Sequence, residues 1–210
     1  MFRFSILVVA LFLVHSSLAL ADGILAKVQA FYERTTDYHA SFRQVVRTAT
    51  PRRTFTRSGQ VFFKRPGMMR WDYKVPDEVY YVSDGKDLWS YDVEEGVAYR
   101  LRIDQSNLAQ AIKFLAAPAE LAREFDVKEL PPESSGLVPL VMVPKGAQSN
   151  FRSVTLFVDP TTGETRETEV VDPMGNVSRI RFEAASFDPL PASRFVFTPP
   201  AGVRVQEVGN

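Results

Sequence analysis

From His39 onwards the apolar residues recur with a period of two, in short runs each closed by a turn signal. That alternation puts one row of side chains on each face of a strand, and short loops between runs join neighbours antiparallel. The runs are His39–Arg47, Gly59–Lys64, Met68–Lys74, Glu78–Ser83, Asp87–Asp92 and Val97–Arg102, then Asp126–Leu130, Leu137–Val143, Phe151–Val158, Thr165–Asp172 and Val177–Ala184. Arg65-Pro66-Gly67, Asp84-Gly85-Lys86, Glu94-Glu95-Gly96 and the Asp-Pro turns at Asp159 and Asp172 punctuate them, while Pro51–Thr56 reads as a basic, irregular connection. About eleven strands are too many for a flat open sheet of this size, so the sheet is expected to curl into an unclosed antiparallel β-barrel.

Two helical patterns interrupt the strands. Ile24, Leu25, Val28, Phe31 and Tyr32 fall at helical spacing among polar residues, which predicts an amphipathic helix packed on the sheet. Between the two sets of strands, Leu108–Phe114 and Ala119–Phe125 read as two short helices divided by Pro118. Their apolar residues, Leu108, Ile112, Phe114, Leu115 and Leu121, form either a structural plug or a movable lid over one face of the sheet.

The first 21 residues have the form of a cleavable export signal: Arg3, a largely apolar run from Phe4 to Val14, and Ala19-Leu20-Ala21 before the cut. The run is shorter than the roughly 20 residues that span a membrane. Residues 22–210 are expected to form a single domain with a core of its own. Without the leader the chain carries 24 basic and 25 acidic side chains, which gives no reason to propose nucleic acid or an anionic membrane as partner. The absence of cysteine removes a disulfide framework, a thiolate nucleophile and an acylated N-terminal Cys. Export without a lipid anchor points to the periplasm, and a monomer is expected.

Catalytic signatures are missing as well. Beyond the leader His39 is the single imidazole, and the chain has no G-x-S-x-G, no H-E-x-x-H and no glycine-rich phosphate loop. Neither an enzyme nor a metal or other cofactor is expected. A hydrolase would have to rely on His39 or on a pair of carboxylates.

What the strands offer instead is apolar surface in excess. Val61 and Phe63 share a side with Arg65, Met69, Trp71 and Tyr73 share a side of the next strand, and Trp89 and Tyr91 share one further on. These side chains either fill the barrel or line a concave pocket, whose methionine and aromatic walls would suit varied apolar ligands. Arg65 stands at the edge of that surface, where a strand ends and the backbone turns.

Phe62-Phe63-Lys64-Arg65-Pro66-Gly67-Met68-Met69-Arg70-Trp71, then Pro76, Val82–Asp92 and the closing Phe195–Val203, with Phe42 and Gln44 in the first strand, resemble the periplasmic outer-membrane lipoprotein carrier family, LolA. The resemblance runs in order over essentially the whole chain after the leader. It implies an unclosed antiparallel barrel covered by short helices, with a hydrophobic cavity for the acyl chains of lipoproteins. It further implies that Arg65 is a latch, hydrogen-bonded to the lid in the closed state and needed for cargo transfer. The implied partners are acylated lipoproteins as cargo, an inner-membrane ABC lipoprotein exporter as donor and an outer-membrane receptor lipoprotein as acceptor. Where the family often has a glutamine this chain reads Glu94-Glu95-Gly96-Val97, so no role carries over to that position. The reading is therefore a periplasmic lipoprotein chaperone, with a lipid-sensing or regulatory binding domain on the same scaffold as the alternative.

Overall fold

Side-chain caps form the turns that separate the strands. Asp84 Oδ1 accepts the amides of Lys86 and Asp87, both at 2.9 Å, and Asp159 Oδ1 accepts that of Thr161 at 2.8 Å. Each Asp thus replaces the backbone acceptor that a reversing chain loses. A computed structural model describes residues 22–102, 124–146 and 151–208. In these, helix α1 (Asp22–Arg34) precedes β1 (Asp37–Thr48), β2 (Arg53–Lys64), β3 (Met68–Val75), β4 (Val79–Ser83), β5 (Asp87–Asp92) and β6 (Val97–Arg102). The second set is β7 (Phe125–Glu129), β8 (Val138–Pro144), β9 (Ser153–Val158), β10 (Thr165–Val171) and β11 (Val177–Ser186), followed by β12 (Arg204–Val208).

All twelve strands share one sheet, in the order β12-β6-β5-β4-β3-β2-β1-β11-β10-β9-β8-β7. Two meanders are therefore joined through the antiparallel β1–β11 pair, and β12 and β7 remain as edges. The mainly β, unclosed architecture is the one anticipated, with one strand more than the approximate count.

Three details differ from the sequence reading. The segment Arg53–Thr56, expected to be an irregular connection, is the start of β2 and pairs with Val45–Thr48. It is exposed on both faces, so no burial pattern marks it as a strand. β12 has no counterpart in the expected set and lies parallel to β6, in a sheet expected to be antiparallel throughout. All five of its residues are exposed. Phe125, placed at the end of a helix, is instead the buried first residue of β7. The expected leader and the segment holding Leu108, Ile112, Phe114, Leu115 and Leu121 lie outside the described residues.

Register assigns the side chains to two faces. Phe42 faces Phe182 across β1–β11, Val61 faces Trp71 across β2–β3, Trp71 faces Tyr81 across β3–β4, and Leu140 faces Leu156 across β8–β9. Because side chains alternate, these residues line one continuous face. Where β2 crosses β3, a Cβ on Gly59 would lie 1.8 Å from the Asp72 carbonyl oxygen, so only glycine fits.

Helix α1 covers the β7–β9 end of that face. Ile24 and Val28 pack among Val138, Leu140, Met142, Val154 and Leu156. Two basic side chains hold the helix to the β9–β10 turn, Lys27 Nζ donating to the Pro160 carbonyl at 2.6 Å and Arg34 Nη2 to the Thr162 carbonyl at 2.9 Å. Gly163 permits the close approach. It has φ +79°, and a Cβ there would lie 2.3 Å from the Lys27 carbonyl oxygen.

The opposite face is polar over β10 and β11, where buried Glu167 accepts from Arg179 and Arg181, each at 2.7 Å. Over β2–β5 it is covered by the segment after β11, whose Leu190 and Phe195 pack on Phe62.

Candidate functional site

The Lys64-Arg65-Pro66-Gly67 corner is fixed before the Arg65 side chain leaves it. Lys64 Nζ donates to Asp37 Oδ1 at 2.7 Å, and the same oxygen accepts the Leu190 amide at 2.9 Å. The Arg65 amide donates to the Thr36 carbonyl at 2.8 Å. From this base the guanidinium donates to the Tyr32 carbonyl in the last turn of α1. That turn carries carbonyls without intrahelical partners and the negative end of the helix dipole, so a cation there is doubly favourable. A hydrogen bond from a charged donor contributes about 1.5–3 kcal/mol. Arg65 thereby ties the hairpin tip to α1, whereas the lid expected to accept from it lies outside the described residues.

Beside this contact lies a small pocket of about 60 Å³, lined by Tyr32, Tyr38, Phe63, Arg65, Thr165 and Phe182. It is too small for a whole acyl chain. The pocket adjoins an aromatic surface. Phe42 lies 5.1 Å from Trp71 and 5.0 Å from Tyr73, and Phe63 and Phe182 lie 6.1 and 6.3 Å from Trp71, measured between ring centroids. Tyr38 meets Phe63 at 6.1 Å. At the far end of these strands a polar groove of about 580 Å³ is lined by Arg57, Tyr73 and Tyr81, with Asp77, Glu94 and Glu95 at its rim.

Burial governs the phenols here. It pushes the Tyr32 and Tyr73 hydroxyls up to about 12 and Tyr38 further, well above the ordinary phenol range. All three stay neutral at any physiological pH. Glu164, next to Thr165, is raised by burial, a rise that Arg166 opposes and Asp159 adds to.

The structure thus gathers Val61, Phe63, Met69, Trp71 and Tyr73 on one face, with Arg65 at its end. Trp89 and Tyr91 do not belong with them. Trp89 pairs with Val82 and Tyr91 with Tyr80, the positions between those on the aromatic face. Both rings turn to the opposite face and pack on Phe197 at 5.3 and 5.5 Å. The physical reason is register: β5 presents Leu88 and Ser90 to the aromatic side. The site residues that sequence reasoning did not single out are Tyr32, Tyr38, Thr165 and Phe182. Tyr38-x-Ala40-x-Phe42 carries the period-two signal that would have found Tyr38.

The model of the family described as outer membrane lipoprotein carrier protein LolA matches residues 33–198. The chain belongs to the LolA family. A relative named outer-membrane lipoprotein carrier protein, from Leptothrix cholodnii, is 33% identical over 190 residues, 89% of this chain and 86% of its own. One of the same name from Dechloromonas aromatica is 30% identical over 184 residues, 87% of each chain. Among solved structures, an uncharacterized conserved protein from Thermus thermophilus superposes with a TM-score of 0.58 at 13% identity, over 89% of this chain and 98% of its own. That likeness concerns the fold alone. The LolA match takes in Arg65 and the whole aromatic face, and leaves out most of α1 and all of β12.

Proposed function

We propose that this chain is a periplasmic chaperone that binds the acyl chains of lipoproteins and carries them from the inner to the outer membrane. The observation that carries this reading is the aromatic face of Phe42, Phe63, Trp71, Tyr73 and Phe182, with Arg65 fastening α1 at its end. No helix among the described residues is long and apolar enough to cross a membrane. The names of the relatives, which cover most of their length with this chain, support the same role.

Transfer of acyl chains from water is favourable by about 0.8 kcal/mol per CH₂, so one chain of sixteen carbons prefers an apolar site by roughly 10 kcal/mol. Escape into the aqueous periplasm is negligible at that scale. The chain has no nucleotide-binding motif, so loading and release depend on neighbours. An inner-membrane ABC exporter supplies the cargo, and an outer-membrane receptor lipoprotein with a tighter site accepts it. The Arg65 contact with α1 is small beside acyl burial, so incoming cargo can break it. The segment carrying Leu108, Ile112, Phe114, Leu115 and Leu121 is the candidate for the lid that the family resemblance implies.

Arg65→Leu tests the latch. The variant is expected to keep the fold, accumulate lipoprotein-bound carrier and fail to pass cargo to the receptor in a purified transfer assay. Transfer at the wild-type rate would contradict the latch.

A further inference from the structure

Two hydroxyls at the Arg65 pocket lack hydrogen-bond partners. Thr165 is 3% exposed and its Oγ1 makes no hydrogen bond of acceptable geometry, although the Tyr32 hydroxyl lies beside it. Tyr38 Oη is likewise withdrawn from solvent and unpaired. Buried hydroxyls are normally satisfied, so unpaired ones aimed into a pocket call for an explanation.

The charged groups of the pocket are already engaged. Lys64 is paired with Asp37, and Arg65 donates to the Tyr32 carbonyl. A neutral acceptor needs neither of these cations, because the two hydroxyls can donate to it. Tyr38 keeps its proton in this apolar setting and is available as a donor, as is Thr165. The remaining walls, Phe63 and Phe182, are aromatic and continue directly into the surface around Trp71 and Phe42. A space of about 60 Å³ accommodates a carbonyl with its first methylene groups, not a chain.

We infer that Tyr38 and Thr165 form a subsite for the ester or amide carbonyl of an acylated ligand, with the acyl chain leaving along the aromatic face. The inference rests on the lipid-binding reading above and goes further, because it assigns the polar end of the ligand a place and a pair of donors. It also orients the cargo. The acylated head lies against the Arg65 latch, and the chains point towards Trp71 and Tyr73. The same carbonyl chemistry is found in the diacylglyceryl group of a lipoprotein and in a phospholipid.

Matched ester and ether lipids test it, since an ether keeps the chain and loses the carbonyl. The purified chain without its leader is titrated with a dipalmitoylglyceryl lipopeptide and with dipalmitoyl phosphatidylglycerol, each in ester-linked and ether-linked form. For at least one of the two, the wild type is expected to prefer the ester by about five- to tenfold, the range that one or two neutral hydrogen bonds supply. The double substitution Tyr38→Phe and Thr165→Val should lower ester binding to the ether level and leave ether binding unchanged. Tyr38→Phe alone, which keeps the ring and its packing, should lose part of the preference and guards against a folding defect in the double variant. Preference confined to the lipopeptide assigns the subsite to lipoproteins, and preference with both lipids assigns it to acyl carbonyls in general. Equal binding of ester and ether by the wild type, or a preference that survives both substitutions, overturns the subsite while leaving the carrier reading in place. Binding of no lipid at all overturns both.

Discussion

Beneath α1 the sheet face is aliphatic and closed, with Met142 and Val158 fully buried and Leu140 and Leu156 only 1% exposed. Across β1–β3 the same face is aromatic. Trp71, Tyr73 and Phe63 are half-buried, their rings meet at varied angles, and Trp71 Nε1 and Tyr38 Oη, with Thr165 Oγ1 of β10, lie buried without partners. Aliphatic side chains that interdigitate under a helix give a dense core with fixed rotamers. Tilted aromatic rings with unsatisfied donors make a surface that can accept another molecule. One half of the face is built as a core, and the other half is the one that the proposed function assigns to a ligand.

Substitutions in the two halves should therefore differ in size. The largest effect is expected for Leu156→Ala, which leaves a cavity under α1 and should cost about 2–5 kcal/mol in urea unfolding. A loss near zero would show that the α1 half is not a core. Next, Gly163→Ala forces a side chain into positive φ and against the Lys27 carbonyl, at an expected cost of about 1–3 kcal/mol. Hydrogen exchange should quicken in α1 and stay unchanged in β2 and β3. If the two regions loosen together, α1 is not a separately docked element. Trp71→Phe in the aromatic half should change stability by less than about 1 kcal/mol, because it keeps an aromatic ring and removes a donor that had no partner. A loss above about 3 kcal/mol, the scale of a large core truncation, would place Trp71 in the structural core instead.

The smallest effect concerns pH. The Lys64 hydrogen bond holds the Asp37 carboxyl below its ordinary value of 3.8, against burial and with help from the Leu190 amide. A carboxylate depressed by folding adds stability above its unfolded pKa and loses it as the pH falls through the folded one. The hairpin tie should accordingly be complete at neutral pH and weaken below about pH 4. Asp37→Asn should flatten the acid limb of the stability profile, and an unchanged limb would show that the tie contributes nothing.

The meanders are legible in the sequence because burial of one face writes a period of two into Tyr38, Ala40 and Phe42, and because Asp-Gly and Asp-Pro turns fix where strands end. Arg53–Thr56 and β12 are not legible, since both are exposed strands held by backbone pairing, which leaves no apolar signature. Trp89 and Tyr91 show the complementary limit. Their spacing says that they share a face, while which face depends on register with β4 and on Phe197, more than a hundred residues away. In the site, Arg65 can be located by its corner. Its contact with α1 through a carbonyl cannot, because a backbone acceptor has no residue identity. Thr165 is hidden for a related reason: its role arises from a missing partner.

Mass spectrometry of the material that co-purifies with the tagged chain from the periplasm is the most direct test of the carrier role. Triacylated lipoprotein bound to the chain, and enriched in the Arg65→Leu variant, is the predicted result. A chain that carries no acylated protein in either form would contradict it.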